Sequence, residues 1–136
     1  KRSERQDLRF FIDELVELAA RALSPGVNDP FTAIACIDWL GAALDDLSAM
    51  PPRPRVLRDA AGCARVVVPR LEFPDYLAVA IGRLRPYAAR DPNVATHLIA
   101  TLEGVRDRVA TPAHSALIER ERDRVAQEQQ ENEARC

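Results

Sequence analysis

Three prolines in this chain each follow a residue that typically caps the N-terminus of a helix. They occur as Asp29-Pro30, Asp91-Pro92 and Thr111-Pro112. Aspartate and threonine accept hydrogen bonds from the free amides of a first helical turn, and proline fits the first helical position because its missing N–H would have no partner there. Three marked helix starts in 136 residues favour a mainly α-helical fold.

Apolar residues around these starts recur at intervals of three and four, which is the spacing of one helical face. Ser3 and Gln6 have the pattern of a capping box before the first helix. The predicted stripe of that helix is Leu8, Phe11, Ile12, Leu15, Leu18, Ala19, Ala22 and Leu23. The stripe of the second helix is Ile34, Ile37, Leu40, Leu44 and Leu47. Gly41 lies in this second helix and permits close approach of a neighbour.

The same spacing predicts further helices after residue 72. A third helix begins near Phe73 or Pro74 and carries Leu77, Ala80, Ile81 and Leu84. Pro86 is expected to kink or end it, because proline removes a helical hydrogen bond. A fourth helix carries Val94, Leu98, Leu102, Val105 and Val109, and a fifth follows Thr111.

The segment ALSPGVNDP, residues 22–30, joins the first two helices. Pro25 and Gly26 fit the central positions of a type II turn, which requires a positive φ at the glycine. Asp29 and Pro30 cap and start the next helix, so the segment is interpreted as the corner of an antiparallel helical pair. Turn and cap chemistry leaves Arg21, Ser24 and Asn28 unexplained. The alternative is that these three residues contact a ligand or a partner.

Between the second and third helices the sequence predicts a short β-hairpin at about 55–68. PPRP ends the second helix, and RVLR and RVVV flank the loop DAAGCA, in which Gly62 is suited to positive φ. An isolated hairpin is marginally stable, so we expect it to lie against the helices at one end of the bundle. Its arginines Arg55, Arg58 and Arg65 would then share one surface.

These elements predict a bundle of four to five helices built from two helical hairpins, with the β-hairpin inserted between them. Residues 1–110 form the helical core domain, and residues 111–136 form a charged C-terminal helix or tail. A shift of 62 residues aligns 11–47 with 73–109 and brings ten residue pairs into identity. This similarity predicts that the third and fourth helices repeat the pairing of the first and second.

Composition and spacing argue against several classes of function. His97 and His114 have no companions at metal-ligand spacing, and Cys36, Cys63 and Cys136 lack a CxxC pattern, so no metal or cofactor is expected. No nucleophile stands beside a base, so no catalytic residue is predicted. The net charge of −2 and the few aromatic residues argue against a nucleic-acid partner.

The residues also resemble a known family. RSERQD, LVELAARALSPGVNDPFTAIACIDWL, RVVVPRLEFPDYLAVAI and RDPNVATHLIATL are similar to the soluble C-terminal region of bacterial predicted membrane proteins grouped as domain-of-unknown-function family 2254. The signature of that family falls on Ala22, Leu23, Ser24, Pro25, Gly26, Asn28, Asp29 and Pro30. Outside this signature, Pro74 and Pro86 depart from the family pattern, in which charged residues are usual at these two positions. The resemblance implies a longer parent chain with N-terminal membrane spans, placed in the bacterial inner membrane, with this segment on the cytoplasmic side.

Two functions follow as expectations. The first is a non-enzymatic cytosolic assembly or regulatory domain, with its own N-terminal transmembrane region, a second copy of itself, or an anionic lipid surface at Arg55, Arg58 and Arg65 as partners. The second is a small-molecule binding or hydrolytic domain with its site at the SPGVNDP loop. The second requires Arg21, Ser24 and Asn28 to converge on a pocket.

Overall fold

The fold was analysed in a computed structural model, which describes residues 4–52, 55–68 and 70–136, with the side chains of the first helix described from Leu8 onward. Its helices are α1 (Glu4–Ala22), α2 (Pro30–Ala49), α3 (Phe73–Gly82), α4 (Arg85–Ala88), α5 (Pro92–Arg108) and α6 (Pro112–Arg135). Its strands are β1 (Val56–Arg58) and β2 (Ala64–Val67). The mainly helical fold with one short hairpin is confirmed. The predicted capping box at Ser3 and Gln6 lies outside the described residues and side chains.

The long helices form a row in the order α1, α2, α5 and α6, and α3 packs across α1, α2 and α6. The core between them is made of aliphatic side chains from every long helix, among them Ile12, Ile37, Leu40, Leu98 and Ile118. Burying such side chains is the main force that holds helices of this length together.

The predicted helix starts at Pro30, Pro92 and Pro112 are confirmed, but the Thr111 side chain makes no cap hydrogen bond. The Asp29 and Asp91 side chains both accept hydrogen bonds from the first turns of α2 and α5, and each helix has proline at its first position. Pro86 ends the third helical segment as expected, because α3 stops at Gly82 and the single turn α4 follows.

The two helical hairpins are α1–α2 and α5–α6, with the β-hairpin between them in the chain. The pairing expected from the internal similarity is wrong, because α3 does not pack along α5 as α1 packs along α2. The break at Pro86 shortens α3 to ten residues and sends the chain through α4, so α3 crosses the row instead. The two similar segments, 11–47 and 73–109, share the Asp-Pro helix start but not the helix pairing.

The predicted stripe of α1 is wrong at two positions. Phe11 and Leu18 are exposed, whereas Ile12, Val16 and Ala19 are buried. The helix packs mainly against α2 and α3, so its buried face is narrow and centred on Ile12, and residues roughly 100° away from that centre fall outside it.

Contrary to the expectation from the sequence, the β-hairpin does not pack on the bundle. Its strands are antiparallel, with Val56 opposite Val67 and Leu57 opposite Val66. Gly62 has the expected positive φ of 81° in the loop. All of β2 is exposed, and within the described ranges no helix packs extensively against either strand. The hairpin therefore projects from the bundle.

Candidate functional site

The joint between α1 and α2 turns differently from the type II turn that its sequence predicts. The amides of Val27 and Asn28 both donate to the Ser24 carbonyl, at 3.0 and 2.9 Å, so the chain continues in a helix-like turn through Pro25 and Gly26. The positive φ, 48°, lies at Asn28 and not at Gly26. Asparagine adopts this left-handed conformation more readily than most residues, which accounts for its place at the point of reversal.

Asp29 fastens the two helices together at this joint. Its backbone amide donates to the Ala22 carbonyl at 2.7 Å, and its carboxylate accepts from the Thr32 amide at 3.1 Å and the Thr32 hydroxyl at 2.6 Å. The hydrogen bond from the Thr32 side chain, followed by those from the backbone amides of Thr32 and Phe31, lowers the pKa of Asp29 below its usual value. The carboxylate therefore serves as the cap of α2, and each of its two oxygens accepts a hydrogen bond from Thr32.

None of three depressions in the described part of the chain is lined by Arg21, Ser24 and Asn28 together. The Ser24 hydroxyl donates to the Arg21 carbonyl at 2.7 Å, and the Arg21 guanidinium pairs with Glu17 on the same helix. A shallow groove of about 250 Å³ beside Arg21 is lined by α1 residues alone. The arrangement offers a ligand no set of converging groups.

A partly open depression lies elsewhere, where the end of α2 meets the starts of α3 and α6. It measures about 300 Å³, and its walls include Leu47, Met50, Phe73, Tyr76 and His114. The His114 ring lies against Phe73 with their centroids 4.5 Å apart, and its buried Nδ1 has no hydrogen-bond partner among the described residues. Sequence reasoning missed this depression because three separate elements build it.

Among the remaining candidates for metal or acid–base chemistry, His97 is engaged in a contact between helices and Cys36 is buried. Within residues 4–52, 55–68 and 70–136, no cluster of three His, Cys, Asp or Glu side chains is placed to hold a metal ion. His97 Nε2 lies 2.6 Å from an Asp38 carboxylate oxygen, a contact that ties α5 to α2. Burial raises the pKa of the Cys36 thiol, which keeps it protonated.

The hairpin arginines are only partly free. Arg55 pairs with Glu72 at 3.1 Å, and Arg65 pairs with Asp59 at 2.7 Å. Arg58 donates to the Gly62 carbonyl at 2.9 Å. All three side chains are exposed, and their grouping on one surface stays a prediction.

The most conspicuous exposed feature was not predicted. Phe11 and Leu18 of α1 are 61% and 49% exposed, and Phe31 and Trp39 of α2 are 82% and 68% exposed. We call these four residues the α1–α2 outer face. On each helix the exposed apolar residues recur at helical spacing, and a stripe that packs into the core has the same spacing. The sequence pattern alone therefore does not separate an exposed apolar face from a buried one.

Contacts with the neighbouring helices fix the direction of this face. Asp13 pairs with Arg83, beside α3, and Phe11 and Leu18 lie on the opposite flank of α1. On α2, Asp38 and Gly41 face α5, and Trp39 lies toward the flank that meets α1. Phe11, Leu18 and Trp39 therefore lie toward the seam between α1 and α2, whereas Phe31, about 20° from Asp38 around the axis of α2, lies toward the α5 flank.

Comparison with known proteins decides the family. The family model described as "Predicted membrane protein (DUF2254)" matches residues 1–104 of this chain. The chain belongs to this family. Proteins from Mycobacterium bovis and Mycobacterium tuberculosis, each described as uncharacterised, are 34% identical to this chain over 119 residues. The match covers 88% of this chain and 23% of each relative. No solved structure matches this chain.

The family is described as predicted membrane proteins. None of the helices in the described ranges is both long enough and apolar enough to cross a bilayer. The chain spans about a quarter of the length of the mycobacterial relatives.

Proposed function

We propose that this chain is a non-enzymatic assembly domain of a bacterial membrane protein and that it binds a second copy of itself through the α1–α2 outer face. The observation that carries the proposal is the exposure of Phe31 and Trp39 on α2 and of Phe11 and Leu18 on α1, two helices that pack against each other. Aromatic side chains are enriched at protein interfaces, and a few of them supply most of the binding energy.

Charge on the outer face is compatible with self-association. Glu17 and Arg21 neutralise one another beside Leu18, and Asp38 is in contact with His97. A two-fold axis would place the apolar residues of one copy against those of the other without requiring charges of opposite sign. Apolar contact is therefore the driving force in this proposal.

The membrane location of the parent protein is part of the same proposal. We place the domain on the cytoplasmic side of the inner membrane, attached to an N-terminal transmembrane region. Support comes from the family description and from the large share of each relative that lies outside the matched segment. Cysteine accessibility in a full-length relative, measured in intact and in permeabilised cells, tests the side of the membrane.

Light scattering after size exclusion tests self-association. We expect the mass of the chain to rise toward that of a dimer with protein concentration, and the double variant Phe31→Gln, Trp39→Gln to remain a monomer with an unchanged circular dichroism spectrum. Tyr87→Gln is the matched control, because Tyr87 is also exposed but lies on α4. A wild-type chain that stays monomeric at every concentration contradicts the proposal.

The alternative of a small-molecule or hydrolytic site at the SPGVNDP loop has less support. The Ser24 hydroxyl donates a hydrogen bond to a backbone carbonyl, and the Asp29 carboxylate accepts hydrogen bonds from the first turn of α2. Neither group is poised as a nucleophile or base.

A further inference from the structure

The projecting β-hairpin presents an apolar surface on both of its sides. Val56 faces Val67 across the strands, and Leu57 faces Val66 one position further along. Successive residues of a strand point to opposite faces, so each side of the hairpin carries one apolar cross-strand pair. Val67 is 72% exposed, and Leu57 and Val66 are about half exposed.

The loop at the tip of the hairpin has little net charge of its own. Its one acidic residue, Asp59, accepts from the Arg65 Nε at 2.7 Å and from the amides of Ala61 and Cys63 at 2.9 and 3.0 Å. The Arg65 contact, followed by these amides, lowers the pKa of Asp59. The tip therefore presents small side chains around a carboxylate that is already neutralised.

Positive charge surrounds these apolar positions. Residues 55–68 contain Arg55, Arg58, Arg65 and one acid, a net charge of +2, and Glu72 outside this range pairs with Arg55. Arg58 has its hydrogen bond to a neutral carbonyl, so no carboxylate offsets its charge in that contact. A surface of this kind attracts an anionic partner and offers it apolar contact at the same time.

We propose that the β-hairpin inserts its tip and its apolar residues into the headgroup region of an anionic membrane. A bilayer interface surrounds an inserted segment, so it covers both sides of the hairpin at once, whereas a docked protein would cover one side. The family to which the chain belongs is described as membrane proteins, which brings a bilayer within reach of this domain. The inference makes no use of the α1–α2 outer face.

Cys63 at the tip provides a natural reporter for insertion. It is exposed, whereas Cys36 is buried, so an environment-sensitive fluorophore attached after Cys136→Ser reports on the hairpin. We expect its emission to shift to the blue with phosphatidylcholine vesicles that contain phosphatidylglycerol, and not with pure phosphatidylcholine. The same fluorophore on Cys136 in a Cys63→Ser chain is the control, and it should not shift.

Substitutions then separate apolar from electrostatic contributions. Val66→Thr, Val67→Thr keeps two β-branched side chains, so the strand is retained while its apolar contact is reduced. This variant should lose most of its vesicle binding in co-sedimentation, and Arg58→Gln should bind about fivefold more weakly. Val27→Thr, at an exposed apolar position in the α1–α2 joint, should bind as the wild type does.

Three results would overturn the inference. They are an unshifted Cys63 label on anionic vesicles, an equal shift of the two labels, and equal vesicle binding by the Val66→Thr, Val67→Thr variant and the wild type. A monomeric chain that still shows the Cys63 shift would reject the proposed assembly role and leave this inference standing.

Discussion

Gly41 of α2 lies directly against Thr101 of α5. A Cβ atom added at Gly41 would stand 2.5 Å from the Thr101 Cγ2, which is too close for a non-bonded contact between two carbon atoms. The sequence predicted a close helix approach at Gly41, and this contact confirms it. We expect Gly41→Ala to lower the free energy of unfolding by about 1–2 kcal/mol in chemical denaturation, because overpacking outweighs the better helix propensity of alanine.

A second substitution tests the cause of that loss. Thr101→Ser removes Cγ2 and keeps the hydroxyl, which donates to the His97 carbonyl at 2.9 Å. The double variant Gly41→Ala, Thr101→Ser should recover most of the lost stability. A Gly41→Ala chain as stable as the wild type would mean that the two helices can separate at this point without cost.

The aspartate caps of α2 and α5 should each contribute to stability. Asp91 accepts from the amides of Asn93 and Val94, so Asp91→Ala is expected to cost about 1 kcal/mol in the free energy of unfolding. Asp29→Ala should lower the melting temperature as well. Asp46→Ala, at an exposed position within α2, is the control and should leave the melting temperature unchanged or slightly higher. Equal stability of the Asp91→Ala and wild-type chains would contradict the capping role.

The Asp29 cap also predicts a pH dependence. Its pKa is lowered in the folded chain, so its ionised form stabilises the fold at pH values above the unfolded pKa of 3.8. That contribution is lost as the pH falls through the lower folded pKa. Asp29→Asn keeps an acceptor but no charge, so its stability difference from the wild type should be present at neutral pH and shrink in strong acid. Thermal melts over a pH series measure this difference, and a difference independent of pH would contradict the prediction.

Local rules were sufficient where one or two neighbouring residues decide the structure. The Asp-Pro starts, the end of α3 before Pro86 and the positive φ of Gly62 all follow from the conformational limits of proline, glycine and a capping carboxylate. Boundaries of this kind depend little on the rest of the chain, so the order of the elements was predictable from the sequence.

Features that depend on distant neighbours were not predictable in the same way. Phe11 and Leu18 fit a helical stripe, but exposure was decided by where α2 and α3 pack against α1. The depression beside His114 is formed by three elements that are far apart in sequence. In the loop, the turn type depended on whether the chain reverses at Gly26 or at Asn28, and both residues tolerate positive φ.

Asn28 should respond to substitution according to its backbone conformation. With φ at 48°, Asn28→Gly is expected to be neutral or slightly stabilising, whereas Asn28→Ala should cost about 1 kcal/mol. Gly26→Ala is the matched control, since Gly26 lacks positive φ and a Cβ there would meet no atom within 4 Å. Chemical denaturation of the three variants provides the measurement. A loss at Gly26→Ala larger than that at Asn28→Ala would contradict the described turn.

Arg85 should stabilise the contact between α4 and α6. Its guanidinium reaches Glu121 at 2.8 Å and Glu128 at 2.7 Å, and the Arg85 side chain is only 18% exposed. Arg85→Gln is expected to cost about 1–2 kcal/mol, because it leaves a half-buried carboxylate poorly paired. Arg124→Gln also breaks a pair with Glu121, but Arg124 is half exposed, so its loss should be below about 0.5 kcal/mol. Chemical denaturation that gives equal losses for the two variants would contradict a special role for Arg85.

Removal of α6 is the most severe test of the predicted division into 1–110 and 111–136. Ile118 and Val125 of α6 are fully buried in the core shared with the other helices, and Asn132 donates to the Ala89 carbonyl at 3.1 Å. Burial of each of these two aliphatic side chains stabilises the fold by about 1.5–3 kcal/mol, which together is a large share of the stability of a small domain. We therefore expect a chain ending at Ala110 to show a broad, non-cooperative thermal transition or to be unfolded.

A chain ending at Gln127 keeps both side chains, so it should melt cooperatively a few degrees below the full chain. Should the 1–110 fragment melt as cooperatively as the full chain and at the same temperature, α6 would be an appendage of a complete core domain.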